Sequence, residues 1–344
     1  MNVTKYPPIF VAGPDRSGTT LIYALLASHP NISMVRRTNM WRYFYKQYGD
    51  IHQKENFEYC LSDMCRYNRM RHLQPDPERI GREFWQGEPT YGRLFAMFHE
   101  HNAERVGKER WGDKSLHTEH YVENVLEEFP DARIIHMTRD PRDRYASVRK
   151  RHGKDTQRVG AATGRWLYSM RSAQRNLRKH PDNYMVVRYE DLAYYPEESL
   201  RQICSFIHEE YSPEMLTMNG AVEHRDSGGN SSFGRFEPGV ISTRSIGRYR
   251  EILSNLEIAF IQLFAGKYMR AFGYKPEPLH FSRREYLAFY TLVLPIHTVR
   301  MFGWMMFTKI KMRLGNHVPN SRLVNSKEAA IGTTEFAIGD QKRG

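Results

Sequence analysis

The sequence predicts an α/β fold, a P-loop-like parallel sheet flanked by helices, with a C-terminal helical extension. Three short apolar runs, at 9–12, 132–138 and 184–188, are separated by stretches with helical spacing. Strands separated by helices usually pair in parallel and bury both faces of the sheet. A further apolar run at 32–35 is a candidate short strand. We expect residues 1–280 to form this domain and residues 281–344 to form an amphipathic helical extension with a flexible tail.

The chain is large enough for a sizeable core and is strongly basic. Its 344 residues are 40% hydrophobic and 26% charged, and the formal net charge is +12 at pH 7. Nucleic acid, a membrane surface or an anionic small substrate would each match this charge. Because the sequence lacks zinc-finger spacing, an RNP motif and a lysine-rich tail, we expect no nucleic acid as partner. An anionic cofactor together with an anionic surface is the preferred interpretation.

The cysteines and the first residues favour a cytoplasmic protein. Cys60 and Cys65, two of only three cysteines, fall in a segment with helical spacing, which fits reduced packing better than a disulfide. Pro7 and Pro8 lead directly into the first predicted strand, without the apolar stretch of a secretory signal. We therefore expect a cytoplasmic location, with peripheral contact to a membrane surface.

The first predicted strand runs into a glycine-bounded loop typical of phosphate sites. Gly13 and Gly18 enclose four residues, and a segment with helical spacing follows. Thr19 stands where a Walker A motif has lysine, and Arg16 supplies a cation inside the loop. A guanidinium can bind a terminal phosphate without a metal. We therefore expect no metal, and a 5′-phosphate or phosphosulfate rather than a triphosphate. A plain glycine turn before a helix is the alternative.

A second anion site is indicated after the apolar run at 132–138. The turn RDPRD occupies 139–143, and Ser147 follows in a predicted helix. Arg139 comes at the carboxyl end of the strand, where open α/β sheets bind ligands. Eight residues separate it from Ser147, a spacing that can bring a guanidinium and a hydroxyl onto one anion. Two such sites suit a ligand that carries two anionic groups.

Together the two motifs resemble the PAPS-dependent sulfotransferases, especially their tyrosylprotein and bacterial branches. The resemblance rests on RSGTT at 16–20 and on RDPRD followed by Ser147, and it spans about residues 9–274. It implies 3′-phosphoadenosine-5′-phosphosulfate (PAPS) as sulfate donor and PAP as product. The residues that it implies for donor binding are Arg16, Ser17, Gly18, Thr19 and Thr20 at the 5′-phosphosulfate, Arg139 and Ser147 at the 3′-phosphate, Tyr189 near the adenine, and Ser242, Arg244 and Ser245 in a late closing loop.

Candidates for catalysis follow from the same resemblance. In the family, a lysine in a setting like WGDKS at 111–115 contacts the bridging oxygen of the transferring sulfate. Lys114 would then stabilise the leaving phosphate together with Arg16, and a salt bridge to Asp113 is the structural alternative. The resemblance would also place a glutamate base near the acceptor, but arginines occupy 36–37. Glu88 is therefore the candidate general base, with helix capping or a surface role as the alternative.

These motifs favour sulfuryl transfer from PAPS to a hydroxyl of a carbohydrate, a lipid or another small molecule. A P-loop nucleotide kinase is one alternative, disfavoured by Thr19 in place of lysine. A non-catalytic PAPS- or PAP-binding protein is another, because the expected glutamate is missing at 36–37. A membrane-associated scaffold that uses the basic surface is the third.

The extension contains an apolar stretch at 286–307 that is interrupted by Pro295, His297 and Arg300. Arg300 would lie in hydrocarbon, so we do not expect a continuous membrane span. Basic flanks together with tryptophan and phenylalanine suit a helix lying in a membrane interface. A core helix or an oligomer contact is the alternative. The polar residues at 318–344 are expected to form the flexible tail.

Overall fold

The computed structural model describes residues 6–152, 158–227, 237–313, 318–319 and 322–323. At its centre lies one sheet of five parallel strands in the order β2-β3-β1-β4-β5. The strands are β1 (Ile9–Ala12), β2 (Ile32–Arg36), β3 (Arg110–Lys114), β4 (Arg133–Thr138) and β5 (Tyr184–Arg188). The predicted α/β fold with a parallel sheet is confirmed, and the candidate strand at 32–35 is present as β2.

Helices connect the strands and cover both faces of the sheet. In the described ranges they are α1 (Thr19–Ala27), α2 (Met40–Tyr43), α3 (Lys54–Arg66), α4 (Pro77–Phe84), α5 (Tyr91–Arg105), α6 (Val122–Glu128), α7 (Pro141–His152), α8 (Val159–Lys179), α9 (Tyr189–Tyr194), α10 (Pro196–Ile207), α11 (Val222–Asp226), α12 (Tyr249–Ile252), α13 (Asn255–Ala271), α14 (Arg283–Ala288) and α15 (Leu294–Arg313). A π-helical segment, Phe289–Val293, joins α14 to α15.

The central strand β1 divides the core into two apolar layers. Ile9 and Val11 pack into one layer, and Phe10 and Ala12 pack into the other. This alternation follows from the two-residue period of a strand, and it explains why a run of four apolar residues is buried on both faces. Because the strands are parallel, their carboxyl ends meet at one edge. That edge bears the loop after β1, Lys114 at the end of β3, and Arg139 directly after β4.

Strand β3, with the sequence RWGDK, is not among the strands predicted from apolar runs. The structure places it between β1 and β2 with every residue buried. Arg110 is tolerated there because its guanidinium donates to the carbonyl oxygens of Pro7 at 2.7 Å and Ile207 at 2.5 Å. Its charge also pairs with Glu209 at 3.0 Å. The charged residues at both ends of this short strand leave no apolar run from which it could be predicted.

The C-terminal extension forms a helical run from α14 to α15 that packs on α8. Small residues of α8 permit the contact, because a Cβ on Gly160 would strike the carbonyl oxygen of His297, and one on Gly164 would press on Met301. Among the described residues, no helix combines the length and apolar character needed to cross a bilayer. Most of the predicted flexible tail at 318–344 lies outside the described residues, and the division at 280/281 stays a prediction.

Candidate active site

The loop between β1 and α1 is shaped by its two glycines. Gly13 and Gly18 have positive φ values of 120° and 86°, which side chains disfavour. A Cβ on Gly13 would also strike the carbonyl oxygen of Met137, and one on Gly18 would lie 2.6 Å from the ring of Tyr189. The loop therefore lies tightly against β4 and the start of α9. Gly18 offers no side chain to cap α1, so the first N–H groups of this helix are suited to an anion.

Arg16, within this loop, reaches towards α7. Its Nε donates to Oγ of Ser147 at 2.9 Å, which joins the two predicted anion motifs. Burial, followed by the neighbouring charges of Arg151 and Arg139, lowers the pKa of Arg16 to about 10. The guanidinium is still protonated at neutral pH, but it lies where positive charge is crowded. A bound anion would relieve that repulsion.

Arg139 connects the loop with a later segment of the chain. Its Nη1 donates to the carbonyl oxygen of Arg16 at 3.3 Å, and its Nη2 donates to that of Ser245 at 2.6 Å. The guanidinium lies over the ring of Tyr189, 4.6 Å from the centroid. Its Nε is buried and has no hydrogen-bond partner in the described part of the chain. Burying a hydrogen-bond donor without an acceptor costs free energy, unless a bound ligand supplies the acceptor.

Tyr189 ties the same later segment to the end of β5. Its hydroxyl lies 2.8 Å from Oγ of Ser245 and donates to the carbonyl oxygen of Ser242 at 3.3 Å. Asp143 of α7 holds the following residues, because its carboxylate accepts the N–H groups of Gly247 at 2.7 Å and Tyr249 at 3.0 Å. Side chains far apart in sequence thus form one contiguous cluster at the carboxyl edge of the sheet.

Buried acidic groups support the loop from behind. Asp15 pairs with Arg144 and, at 3.4 Å, with Arg165. Burial alone would raise the pKa of Asp15, but these two cations lower it below its usual range. Oε2 of Glu119 accepts the N–H of Gly13 at 3.3 Å. Both carboxylates are therefore occupied in positioning the loop.

Lys114 lies at the end of β3, in the same cationic surroundings. Burial, followed by the charges of Arg37 and Arg36, lowers its pKa to about 8. The structural alternative, a salt bridge between Lys114 and Asp113, is not found among the described ion pairs. Successive strand residues point to opposite faces, and Asp113 accepts a hydrogen bond from Thr38 at 2.8 Å instead. Lys114 is thus a buried cation whose strongest electrostatic neighbours are other cations.

The remaining predicted residues divide into two groups. Ser17 is buried in the loop, and Thr19 is buried at the start of α1, where Thr20 follows it. Oγ of Ser17 has no hydrogen-bond partner among the described residues. Two others are not brought into the cluster by any described side-chain contact. Arg244 is exposed and only its backbone N–H bonds Ser242, while Glu88 is exposed in the turn between α4 and α5.

A cavity of about 750 Å³ runs along the edge strand β2. The lining residues that are arginine, lysine, histidine or glutamate are Arg36, Arg37, Arg69, His72, Lys108, Glu223 and His224. Only one of them is acidic, and that residue is ion-paired with Arg36. Burial, followed by the charges of Arg36 and Lys114, lowers the pKa of the half-buried His224. Burial and the surrounding cations therefore favour the neutral form of His224.

Sequence reasoning missed the cavity and several positioning groups. Asp143 was part of the recognised RDPRD turn, and its place one helical turn after Arg139 could have suggested a role in holding a neighbouring loop. Glu119 and His224 carry no local motif. Their positions follow only from tertiary packing, which brings the turn after β3 and helix α11 to the site.

Comparison with known proteins agrees with the fold and these motifs. Residues 7–213 match the family model described as the sulfotransferase family. This range is more than half of the chain, and the chain therefore belongs to the sulfotransferase family, as the two phosphate motifs predicted.

Individual relatives are distant. A protein-tyrosine sulfotransferase from Drosophila melanogaster is 24% identical over 241 residues, which are 64% of this chain and 40% of that protein. The sulfotransferase domain of the Synechococcus PCC 7002 olefin synthase is 21% identical with a TM-score of 0.54, covering 80% of this chain and 97% of that domain. The sulfotransferase domain from the curacin biosynthetic pathway is 18% identical with a TM-score of 0.53, covering 80% and 100%. At these identities the structural likeness concerns the fold alone.

Proposed function

We propose that this protein transfers the sulfuryl group of PAPS to a hydroxyl acceptor. The observation that carries the proposal is the meeting of Arg16, Ser147 and Arg139 at the carboxyl edge of β1 and β4. Two separate sequence motifs thereby contribute cations and a hydroxyl to one site, as a nucleotide with phosphates at both ends requires. The chemistry needs no metal, because arginine and lysine supply the positive charge.

The donor would be held by the loop and by the cluster around Arg139. We assign the N–H groups at the start of α1, with Arg16 and the hydroxyls of Ser17, Thr19 and Thr20, to the 5′-phosphosulfate. The unpartnered Nε of Arg139 and the hydroxyl of Ser147 would take the 3′-phosphate. Tyr189 would pack near the adenine, and Ser242 and Ser245 would close the site. Arg244 would join them only if its segment moves on binding.

The transfer would be an in-line displacement at sulfur. The acceptor oxygen forms a new S–O bond while the bond from sulfur to the bridging oxygen breaks, and the electron pair stays on the 5′-phosphate of PAP. Lys114 would stabilise the charge that develops on this bridging oxygen. With a pKa of about 8, its ammonium is mostly protonated at neutral pH. Its cationic neighbours make an incoming anion the favourable partner.

His224 is our candidate for taking the acceptor's proton. It lines the cavity that also contains Arg37, and the charge of Lys114 acts on it. A lowered pKa keeps the imidazole neutral and able to accept a proton near pH 7. Glu88 has no described contact with this region. The structure therefore gives no support to the prediction that Glu88 is the base.

The acceptor would occupy the cavity along β2. Its volume of about 750 Å³ suits a small molecule or the head of a larger one. The excess of cationic lining residues favours an acceptor that already carries a negative charge. A carbohydrate acid, a lipid head group or another small anion with a free hydroxyl would each fit. The expected cytoplasmic location stays a prediction.

Calorimetry with PAP, combined with transfer from labelled PAPS, tests the proposal. We expect PAP to bind and Arg139→Ala to weaken binding at least tenfold while circular dichroism stays unchanged. Acceptors compared as matched pairs, neutral and carboxylated or sulfated, should gain one sulfate by mass spectrometry, with the anionic member preferred. PAP binding without transfer to any acceptor would favour the non-catalytic alternative. Magnesium-dependent ATP turnover without PAP binding would favour the kinase and overturn the proposal.

A further inference from the structure

The outer side of α15 is an apolar surface. Six of its side chains are between 45% and 73% exposed in the structure, namely Ile296, Val299, Phe302, Met306, Phe307 and Ile310. Exposed Leu287 and Leu292 extend this surface towards α14. Contiguous apolar patches of this kind usually mark an interaction site. We call the surface formed by the six α15 side chains the outer face.

The opposite side of α15 is already used for packing. Met301 is buried, and the backbone near His297 and Met301 lies against Gly160 and Gly164 of α8. The helix is therefore apolar both towards the protein and towards its surroundings, unlike an ordinary surface helix with one polar side. Its rotation is fixed by α8, so the outer face always points away from the sheet.

Cations border the outer face on both sides. At 3.6 residues per turn the six side chains form a stripe roughly 140° wide. Lys309 lies at one margin of this stripe, and Arg300 and Lys311 lie at the other, all three exposed. The sequence has no aspartate or glutamate from 286 to 313. Long cationic side chains beside an apolar stripe can reach anionic head groups while the stripe enters the acyl boundary.

We propose that the outer face binds the surface of an anionic lipid bilayer, with α15 lying parallel to the membrane plane. Arg300 lies beside the first half of the stripe, four residues after Ile296, so a perpendicular helix would bury this charge in hydrocarbon, whereas a parallel helix keeps it among the head groups. A second copy of the chain fits less well. A two-fold interface would bring cationic margins together with no acidic residue of this helix to offset them.

The bound helix is also close to the loop of the candidate donor site. The guanidinium of Arg165 lies over the ring of Trp304 on α15, 5.2 Å from its centroid. Arg165 pairs in turn with Asp15, the neighbour of Arg16 in the loop. Membrane binding would therefore hold the site at a fixed orientation to the bilayer. This proposal does not depend on the sulfotransferase reaction.

Vesicle flotation tests the proposal with the full chain. The probes are vesicles of phosphatidylcholine alone and of phosphatidylcholine mixed with phosphatidylglycerol. We expect binding to the anionic vesicles that declines as salt is raised. Phe302→Ser with Phe307→Ser should weaken it at least about tenfold, since both rings lose apolar burial. Arg300→Gln with Lys309→Gln should weaken it by about fivefold for each cation.

The matched control is Leu263→Ser on α13, which removes a side chain that is 59% exposed outside the outer face. It should float like the unaltered protein, and circular dichroism should show that all variants fold. Flotation unaffected by both double substitutions would overturn the proposal. So would self-association in the absence of vesicles that Phe302→Ser with Phe307→Ser abolishes, because the partner would then be a second copy.

Discussion

The two halves of the candidate site are built differently. At the donor half, Arg16, Ser147, Arg139 and Ser245 are joined by hydrogen bonds of 2.6–3.3 Å. At the proposed acceptor half, cationic side chains line a cavity along the edge strand β2, and Glu223 is the one acidic side chain among the described residues that line it. A site whose side chains hold one another by hydrogen bonds suits a constant ligand, whereas the lining of a cavity at an edge strand can change without disturbing the sheet. Donor chemistry and acceptor choice are thus separable in this fold.

The largest expected effect tests the donor half. Arg16→Ala should lower kcat/KM for sulfate transfer about a thousandfold, because it removes a half-buried charged donor that would stabilise the developing transition state. Steady-state transfer from labelled PAPS measures the loss. Arg178→Ala is the matched control, since that arginine is exposed on α8 and outside the cluster, and we expect less than a twofold change. A comparable loss in both variants would mean that the effect does not come from the donor cluster.

Lys114→Ala should lower kcat by several hundredfold while PAP affinity changes little, because its charge acts on the breaking bond. The unaltered enzyme should also lose activity as pH rises through about 8, where Lys114 deprotonates. Lys114→Arg should move this loss to higher pH, because arginine stays protonated. The pH profile of kcat measures the shift. An alkaline limb at the same pH in Lys114→Arg would assign it to another group.

His224→Asn should lower kcat about a hundredfold at neutral pH, as expected for loss of a general base. Since the pKa of His224 lies below its ordinary value of 6.5, the unaltered enzyme should lose activity only when the pH falls below that value. The variant should lack this acidic limb. Turnover is followed by PAP release across pH, and unchanged kcat would exclude His224 as base.

The smallest effect is expected at the acceptor half. Arg37→Gln should raise KM for an anionic acceptor about tenfold, because it removes one cation at the mouth of the cavity. PAP affinity measured by calorimetry should stay the same. A neutral acceptor of the same shape serves as the comparison and should show little change. Weaker PAP binding in this variant would show that the two halves are coupled after all.

The donor half was predictable because its parts are local in sequence. The run IFVA followed by RSGTT encodes strand, loop and helix within twenty residues, and RDPRD with Ser147 does the same after β4. The acceptor half depends on long-range packing. β3 was obscured by its charges, and His224 reaches the cavity from α11, more than a hundred residues after Lys114. Glu88 was predicted as the base because it is a carboxylate in a stretch expected to lie near the acceptor. The sequence alone could not show where this side chain lies in the fold.

Arg139 contacts both the glycine-bounded loop and the segment at Ser245 through one guanidinium. A nucleotide that draws this side chain towards itself must alter both contacts at once. Movements of the loop and of the later segment are then thermodynamically linked, because each changes a contact of the same guanidinium. Product release would accordingly require the two segments to loosen together, so a single arginine could set how long PAP stays bound.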